Sequence, residues 1–281
     1  MQSVNIIGSG RVGRSLMMLF QGCDGICIGD VCSSSIDSAE AAVAEVGLGR
    51  PVAGLADMAP AEIWLLTVPD DQIDPVAEAL ANTGKQPATA LHFSGFTTSE
   101  ALAPLRKRGW SVASCHPVLS FNDPAQAARS FAGTHCGIEG DASATAETLV
   151  RRIGGLPFPI HPDRKPLYHA AAVFSNNFTV LLQAIAREAW RDAGVPDDVA
   201  TALCDRLLRG ATDGVATLGP SAALTGPAAR GDDRVLALQE EAVRNWQPEA
   251  GALYALASQL ARRLGQTGHP FRTDQEARTR T

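Results

Sequence analysis

The sequence predicts an α/β domain built on a mostly parallel sheet, followed by a smaller all-helical domain. Three observations support this prediction. A glycine-rich loop, Gly8 to Gly13, joins a short apolar strand to an apolar helix. Strand-like and helix-like segments then alternate as far as residue 160, as they do when crossover helices connect parallel strands. Only helix-period segments follow, so we expect a sheet domain at 1–161, a helical domain at 162–265 and a loose tail at 266–281.

The individual elements follow from apolar patterning and from turn residues between the apolar runs. Continuous apolar runs such as the one at 62–68 are typical of parallel strands that are covered by helices on both faces. The predicted strands lie at 4–7, 25–32, 51–53, 62–68, 88–93, 110–115, 134–138 and 157–160. The later predicted helices lie at 36–46, 98–108, 142–153, 167–193, 196–218, 233–246 and 248–264.

The glycine-rich loop has the spacing GxGxxG. Its first glycine permits a tight turn, the second lets the backbone approach a pyrophosphate, and the third lets the helix pack closely on the strand. The phosphates would bind free backbone N–H groups at the positive end of the helix. With a strand before it and a helix after it, the loop predicts a Rossmann-type dinucleotide-binding domain. The loop residues are Gly8, Ser9, Gly10, Arg11, Val12 and Gly13.

The end of the second predicted strand decides which dinucleotide is preferred. An acidic residue there would hydrogen-bond the ribose hydroxyls of NAD, whereas small hydroxyl side chains leave room for the 2′-phosphate of NADP. If the strand runs to residue 32, Ser33 and Ser34 occupy this position, and if it ends earlier, Asp30 does. Asp30 follows Gly13 by only 17 residues, where about 20 are expected. We therefore favour NADP, with NAD as the alternative.

Polar residues follow the predicted strands at the edge of the sheet where open α/β folds bind their cofactors. Val68 and Pro69 end one strand and would contact the dinucleotide. His92 and Ser94 end the next strand, and His116 ends the one after it. Two histidines on the edge where a nicotinamide would project are candidates for binding the substrate, although each could instead be a structural hydrogen-bonding residue.

Composition excludes several classes of function. The chain has 281 residues, of which 45% are hydrophobic, enough for a substantial core. A net charge of −6 argues against a nucleic acid or an acidic membrane as partner. We find neither a signal peptide nor an apolar run of membrane-spanning length, and expect a cytoplasmic protein. Six cysteines without a CxxC pair predict neither disulfides nor a metal site.

The start of the predicted helical domain carries a polar stripe. At about 100° per residue, His169 and Asn176 lie close together on one helix face, and Lys165 lies near the same line. A lysine at a helix start opposes the helix dipole, which suggests a role beyond helix stability. Reduction of a carbonyl or an imine needs an acid, which Lys165 or His169 could supply, with Asn176 orienting it. The alternative is a polar stripe that is hydrogen-bonded within a domain interface.

A turn-rich segment, 223–232, is the second candidate site in the helical domain. It leads into a helix that Asp232 or Asp233 would cap. Arg230 and the start of this helix could bind a substrate carboxylate. Alternatively, the segment only connects two helices.

These motifs together resemble a family of Rossmann-type oxidoreductases whose second domain was long catalogued only as a helical domain of unknown function. More distantly, the chain is similar to pyrroline-5-carboxylate reductases, β-hydroxyacid dehydrogenases and ketopantoate reductases. The resemblance covers nearly the whole chain. It is carried by the glycine loop, Val68-Pro69-Asp70-Asp71, His92-Phe93-Ser94-Gly95, His116-Pro117, Tyr168-His169-Ala170-Ala171 with Asn176, and Leu224-Thr225-Gly226-Pro227 with Arg230-Gly231-Asp232.

The resemblance implies NADP-dependent reduction of a small carboxylate-bearing substrate and a homodimer formed through the helical domain. Some members are thought to act as an alternative ketopantoate reductase. In the β-hydroxyacid relatives a helix lysine donates the proton and an asparagine orients it, and Lys165 and Asn176 are the nearest counterparts. Their separation of eleven residues departs from the single turn of those relatives, so His169 could share or replace the role of Lys165. Ser34 also stands where relatives often carry an arginine.

The sequence therefore favours a reductase of a ketopantoate-like keto acid. A reductase of cyclic imines is the alternative among enzymes, and an NADP-binding sensor without turnover is the alternative outside them. The predicted catalytic residues are Lys165, His169 and Asn176, and the predicted substrate-binding residues are His92, Ser94, His116 and Arg230.

Overall fold

The computed structural model describes residues 1–271, which divide into two compact units. One unit spans Met1–Ser175 and the other begins at Asn176. The sequence placed the boundary at 161/162, in front of the helix that starts at Lys165. In the structure this helix belongs by its contacts to the sheet unit, because its first turns pack on the strands. No helix of the described residues is long and apolar enough to cross a membrane.

The sheet unit contains eight strands in the order β3-β2-β1-β4-β5-β6-β7-β8. All neighbouring strands are parallel except β6 and β7, which confirms the predicted mostly parallel sheet. The strand order reverses between β1 and β4, and open α/β sheets bind ligands in the crevice at such a point. The strands are β1 Gln2–Ile7, β2 Ile26–Cys32, β3 Arg50–Val52, β4 Ile63–Leu66, β5 Thr89–His92, β6 Ser111–Pro117, β7 His135–Gly140 and β8 Leu156–Pro159.

Helices cover both faces of this sheet. Along β4, Ile63 and Leu65 join one hydrophobic core, whereas Trp64 and Leu66 join the core on the opposite face. All four residues are buried, as expected for a central parallel strand. The helices of this unit are α1 Arg11–Phe20, α2 Ile36–Val46, α3 Ile73–Ala81, α4 Ala103–Arg106, α5 Pro124–Ser130, α6 Ser143–Arg152 and α7 Lys165–Ser175.

The second unit is all helical among its described residues. Its long helices bury few side chains within the chain, with Ala200 and Cys204 as the buried residues of α9. The helix α13 continues to Thr267, so the predicted tail begins later than residue 266, and residues 272–281 lie outside the described part of the chain. The helices are α8 Asn177–Asp192, α9 Asp197–Leu218, α10 Pro220–Ala223, α11 Pro227–Arg230, α12 Asp233–Trp246 and α13 Pro248–Thr267.

Two predicted helices are broken in the structure. The segment 167–193 is interrupted at Asn176, where α7 ends and α8 begins. Ser175 donates a hydrogen bond back to the carbonyl of Ala171, and serine and asparagine compete with helical backbone hydrogen bonds. The segment 98–108 is a 3₁₀ turn followed by the single turn of α4, because Pro104 lacks the N–H that a longer helix would need.

Candidate active site

Two of the three glycines in the glycine loop have no room for a side chain. Gly8 has a positive φ of 104°, and a Cβ there would lie 2.7 Å from the carbonyl oxygen of Thr67. A Cβ on Gly13 would collide with the carbonyl oxygen of Gly8. Beside Gly10 there is no heavy atom within 4 Å of a Cβ position. The loop therefore leaves open space at the one glycine that the motif assigns to the pyrophosphate.

A cleft of about 290 Å³ lies over this loop, at the carboxyl ends of β1, β2 and β4. No side chain caps the start of α1, so its first backbone N–H groups are available to an anion. The residues present therefore fit a dinucleotide. Of the predicted cofactor residues, Arg11, Val12 and Gly13 are not in the cleft lining. The lining consists of Gly8, Ser9, Gly10, Arg14, Ser33, Ser34, Ser38, Thr67, Val68 and Pro69.

The structure decides between the two registers that were open for β2. The strand runs to Cys32, as predicted, and Ser33 and Ser34 line the cleft. Asp30 is buried, and its carboxylate accepts hydrogen bonds from Arg50 at 2.7 and 2.9 Å and from the backbone N–H of Ala59. The Arg50 guanidinium holds the pKa of the Asp30 carboxyl below its usual range. The Asp30 carboxylate is therefore engaged within the sheet, whereas Ser33 and Ser34 line the cleft.

The loop at residues 94–99 follows β5 and connects the cleft to the histidines. The Ser94 hydroxyl donates to the Asp70 carboxylate at 2.6 Å, and Asp70 directly follows Pro69 of the cleft. The same hydroxyl oxygen accepts the backbone N–H groups of Phe96 and Thr97 at 3.1 and 2.8 Å. Ser94 thus organises this loop and ties it to the end of the dinucleotide cleft.

His92 does not face a cleft that a substrate could enter, contrary to its predicted role in substrate binding. Its side chain is fully buried. Nε2 bonds the carbonyl of Thr98 at 3.1 Å, and Nδ1 accepts the N–H of Ser94 at 3.3 Å. Burial lowers the pKa of His92 to about 3, so the ring is neutral under ordinary conditions. Both ring nitrogens are used in holding the loop, which is a structural role.

His116, Tyr168 and His169 form a cluster against this loop. The Tyr168 hydroxyl lies 2.8 Å from Nδ1 of His116, and Gly137 leaves room for that hydroxyl. The His116 and His169 rings pack edge to face, with centroids 5.6 Å apart. A Cβ on Gly95 would lie 2.7 Å from Nε2 of His116 and would collide with Nδ1 of His169. The structure thus brings the predicted residues His116 and His169 together beside Gly95.

Burial shifts the pKa values of two members of the cluster, His116 and Tyr168. Burial, with the nearby His169 and Lys165, lowers the pKa of His116 to about 4, and burial raises the pKa of Tyr168 to about 12. Nδ1 of His169 is buried and has no hydrogen-bond partner among the described residues. His116 and Tyr168 are therefore uncharged under ordinary conditions.

Lys165 is completely buried. Its ammonium donates to the Ser114 hydroxyl and to the carbonyl of Thr97, and it lies 3.5 Å from the Glu139 carboxylate. Burial lowers the pKa of Lys165 to about 8, although Glu139 opposes this change. A lysine has three N–H donors, and all three directions are occupied inside the protein.

Asn176 and Arg230 belong to the second unit. Because the helix breaks before Asn176, the argument that it shares a face with Lys165 and His169 does not hold. Asn176 is exposed, and its amide lies 3.4 Å from that of Asn177. Arg230 is exposed at the end of α11, and Asp232 rather than Asp233 caps the following helix. The functional roles of Asn176 and Arg230 stay predictions.

Sequence reasoning missed Glu139, Ser99 and Ser114. They lie on β7, after β5 and on β6, in segments whose patterns indicate only strands or turns. The one available signal was Lys165, whose position at a helix start opposes the dipole, but the sequence analysis took it to indicate a catalytic role. Tyr168 was noticed only as part of a motif, and no role was given to it.

Comparison with known families agrees with this architecture. The profile of the Rossmann-like domain matches residues 1–117, and that of a domain of unknown function, DUF2520, matches residues 134–261. The Rossmann-like match thus precedes the DUF2520 match along the chain. The predicted resemblance to Rossmann-type proteins with a helical second domain of unknown function is thereby confirmed. A comparison with curated protein sequences finds no match.

Several solved structures share the fold over nearly their whole length. Protein TM1727 from Thermotoga maritima is 26% identical, with a TM-score of 0.74 over 94% of this chain and 99% of the other. A proposed NADP oxidoreductase, BF3122 from Bacteroides fragilis, is 22% identical, with a TM-score of 0.74 over 93% and 98%. A 1-pyrroline-5-carboxylate reductase from Streptococcus pyogenes is 15% identical, with a TM-score of 0.62 over 93% and 98%. These likenesses show that the chain shares the fold of these proteins.

Proposed function

We propose that this protein is an NAD(P)H-dependent reductase of a small substrate that carries a C=O or C=N bond. One continuous set of contacts supports the proposal. Pro69 lines the dinucleotide cleft, and the adjoining Asp70 accepts the hydroxyl of Ser94. The next residue, Gly95, packs against the ring nitrogens of His116 and His169. Polar groups suited to proton transfer therefore stand directly beside the predicted cofactor site.

The division of roles follows from where each residue lies. The glycine loop would hold the pyrophosphate, Ser33 and Ser34 the adenosine ribose with its 2′-phosphate, and Val68 and Pro69 the part nearer the reacting ring. The cofactor, when bound, supplies a hydride to the substrate carbon. The engaged carboxylate of Asp30 supports a preference for NADP over NAD.

His169 and His116 are the best placed proton donors. The hydrogen bond of His116 to Tyr168 leaves its Nε2 for the substrate, and the ring of His169 packs edge to face beside it. Neutral imidazole can donate a hydrogen bond to the oxygen on which negative charge develops, and can transfer a proton to it. Lys165 is less suited to direct donation, because its three donor directions are occupied.

The leading substrate class is a keto acid of the ketopantoate type, and Arg230 stays the predicted carboxylate-binding residue. One observation favours a cyclic imine instead. Asp70 places a carboxylate beside Ser94 and close enough to His116 to favour the charged form of that ring. An anion at this point would attract the positive charge of a protonated imine, which a keto acid lacks. An NADP-binding sensor without turnover is the remaining alternative.

We also propose that two copies associate through the helical unit. The helix α8 has 16 residues and buries none of them within the chain. Apolar side chains on α8 and α9 are exposed within a single chain, and contiguous exposed apolar surface marks protein–protein contacts. They include Val180, Leu181, Leu182, Leu207, Val215 and Leu218.

The six free cysteines fit the proposed cytoplasmic location, since reducing compartments keep thiols reduced.

Fluorescence titration with NADPH and NADH, followed by NADPH oxidation assays, tests the proposed function. We expect NADPH to bind at least about tenfold more tightly than NADH, a difference of about 1.4 kcal/mol. Ser34→Asp should narrow or reverse this preference, because its carboxylate repels the 2′-phosphate. Ketopantoate and 1-pyrroline-2-carboxylate represent the two substrate classes. Tight NADPH binding with no oxidation across keto acids and cyclic imines would favour the sensor instead.

A further inference from the structure

We infer that Lys165 and Glu139 are positioning residues, whose buried ion pair holds the loop at residues 94–99 in the form that places Gly95 against the two histidines. This inference rests on the proposed reductase function. It assigns to Lys165 a role other than the proton donation expected from the sequence, and it adds Glu139, which sequence reasoning did not identify.

The pair is enclosed within the sheet unit. The Lys165 side chain is 0% exposed and that of Glu139 is 2% exposed. Glu139 lies on β7, which is antiparallel to β6, and Lys165 is the first residue of α7. Each charge removed from water needs an opposite charge and several hydrogen bonds to be stable. Lys165 donates one of its two hydrogen bonds to the loop, and Glu139 accepts two from the loop residue Ser99.

Three successive loop residues are fixed by three buried side chains. The ammonium of Lys165 binds the carbonyl of Thr97, and His92 binds the carbonyl of Thr98 at 3.1 Å. Glu139 accepts the N–H and the hydroxyl of Ser99, each at 2.7 Å. Hydrogen bonds to the buried side chains of Lys165, His92 and Glu139 therefore fix the backbone of the loop.

The position of the loop controls the histidines, because no free space separates them. Gly95 approaches His116 and His169 so closely that even a methyl group would force them apart. Ser114, the other partner of Lys165, lies on β6 two residues before His116 and donates weakly to the carbonyl of Ser94 at 3.4 Å. Misplacement of reacting groups by about 1 Å can reduce a rate about 100-fold. Loss of the ion pair should therefore slow turnover without removing any group that touches the substrate.

The test compares Lys165→Met, Glu139→Gln and the double variant Lys165→Met/Glu139→Leu. The double variant leaves no unpaired buried charge, so it is the one expected to remain folded. Two readouts are used, namely amide hydrogen exchange of residues 94–99 and NADPH oxidation over a range of pH. A matched control is Arg151→Met, which removes the exposed ion pair between Arg151 and Glu147.

In the double variant we expect exchange at residues 94–99 to rise at least tenfold and kcat to fall about 100-fold. The Kd for NADPH should change less than threefold, and the pH profile of kcat/KM should keep its shape. Glu139→Gln should show the same changes to a smaller degree, and Arg151→Met should show none. Unchanged exchange in the double variant would overturn the inference. The inference would also fail if Glu139→Gln is active and the pH profile of Lys165→Met has lost one ionisation. That result would identify Lys165 as the proton donor.

Hydrogen exchange and NADPH binding do not depend on turnover. If the wild-type protein reduces neither ketopantoate nor 1-pyrroline-2-carboxylate, the proposed function fails, whereas increased exchange at 94–99 still supports the positioning of the loop. If the wild-type protein is active and exchange is unchanged in the variants, the inference fails and the function stands.

Discussion

At the scale of single residues, the candidate site depends on glycines whose surroundings exclude a side chain for different reasons. At position 8 the protein itself excludes a side chain, because φ is positive and the carbonyl of Thr67 is close. Gly10 has free space beside it, so only a bound ligand would exclude a side chain there. Comparing these two positions separates the requirements of the fold from those of the cofactor.

We predict that Gly8→Ala lowers the free energy of unfolding by about 1–3 kcal/mol, the usual cost of a strained backbone position. Gly10→Ala should change it by less than about 0.5 kcal/mol. The same Gly10→Ala variant should weaken NADPH binding at least tenfold, since its methyl group occupies the space intended for the pyrophosphate. Urea unfolding and fluorescence titration measure these effects. Gly22→Ala, in equally open surroundings away from the cleft, is the control, and an NADPH affinity equal in the Gly10 and Gly22 variants would contradict the prediction.

A second prediction at this scale concerns the stability of the protein at acidic pH. The pKa of His92 is about 3 and that of His116 about 4, both below the value near 6.5 of an unfolded chain. Between about pH 6.5 and pH 4 the unfolded chain binds more protons than the folded one. The free energy of unfolding should therefore fall as the pH falls through this range. Urea unfolding at pH 7.5, 6 and 5 tests this dependence. His92→Gln should reduce the slope, because it removes the buried imidazole.

At the scale of elements, α7 connects the helical segment of the sequence to the chemistry of the sheet. Its first two turns place Lys165 under the loop at 94–99 and place Tyr168 and His169 beside β6 and β7. The break before α8 ends this role after Ser175. An 11-residue helix thus belongs functionally with the strands that precede it.

We predict that Tyr168→Phe lowers the rate of hydride transfer about 100-fold, within the range attributed to proton transfer by a positioned group. Without the hydroxyl, Nδ1 of His116 loses its partner and the ring is free to adopt the wrong tautomer. Stopped-flow measurement of NADPH oxidation gives the rate. The chain has only one other tyrosine, Tyr254, whose hydroxyl bonds Gln239 in the helical unit, so Tyr254→Phe is the matched control. Equal rates in the two variants would exclude Tyr168 from the proton path.

At the scale of the whole molecule, apolar side chains are distributed unequally between the two units. The sheet unit buries its apolar residues in two cores, one on each face. The helical unit leaves many of its leucines and valines exposed within a single chain. This difference supports the proposed association of two copies through the helices.

We predict that the protein sediments as a dimer at micromolar concentration, and that Leu181→Glu combined with Leu218→Glu shifts it towards monomer. A charged side chain in an apolar interface is unpaired and desolvated, which weakens association by several kcal/mol. Leu156→Glu is the control, because this leucine is 46% exposed on β8 of the sheet unit. Analytical ultracentrifugation measures the outcome. A monomeric wild-type protein would refute the proposal.

Features that depend on neighbouring residues in the chain could be predicted from the sequence. Helix α2 has the predicted bounds, 36–46, because Ser35 caps its start and Gly47 ends it in the left-handed region. Helix α12 also has its predicted bounds, 233–246, with Asp232 as its cap. The glycine loop and the end of β2 were predictable for the same reason, since their spacing reflects a local geometry.

The tertiary structure alone decided what the charged residues do. The sequence marked Asp30 as an alternative contact for the ribose and Lys165 as a proton donor, but their partners, Arg50 and Glu139, are 20 and 26 residues away. Whether a charge is exposed or buried and paired depends on which strands become neighbours, and here on the antiparallel pairing of β6 with β7. Local patterns carry no information on that pairing, because opposite charges meet only after the sheet has formed.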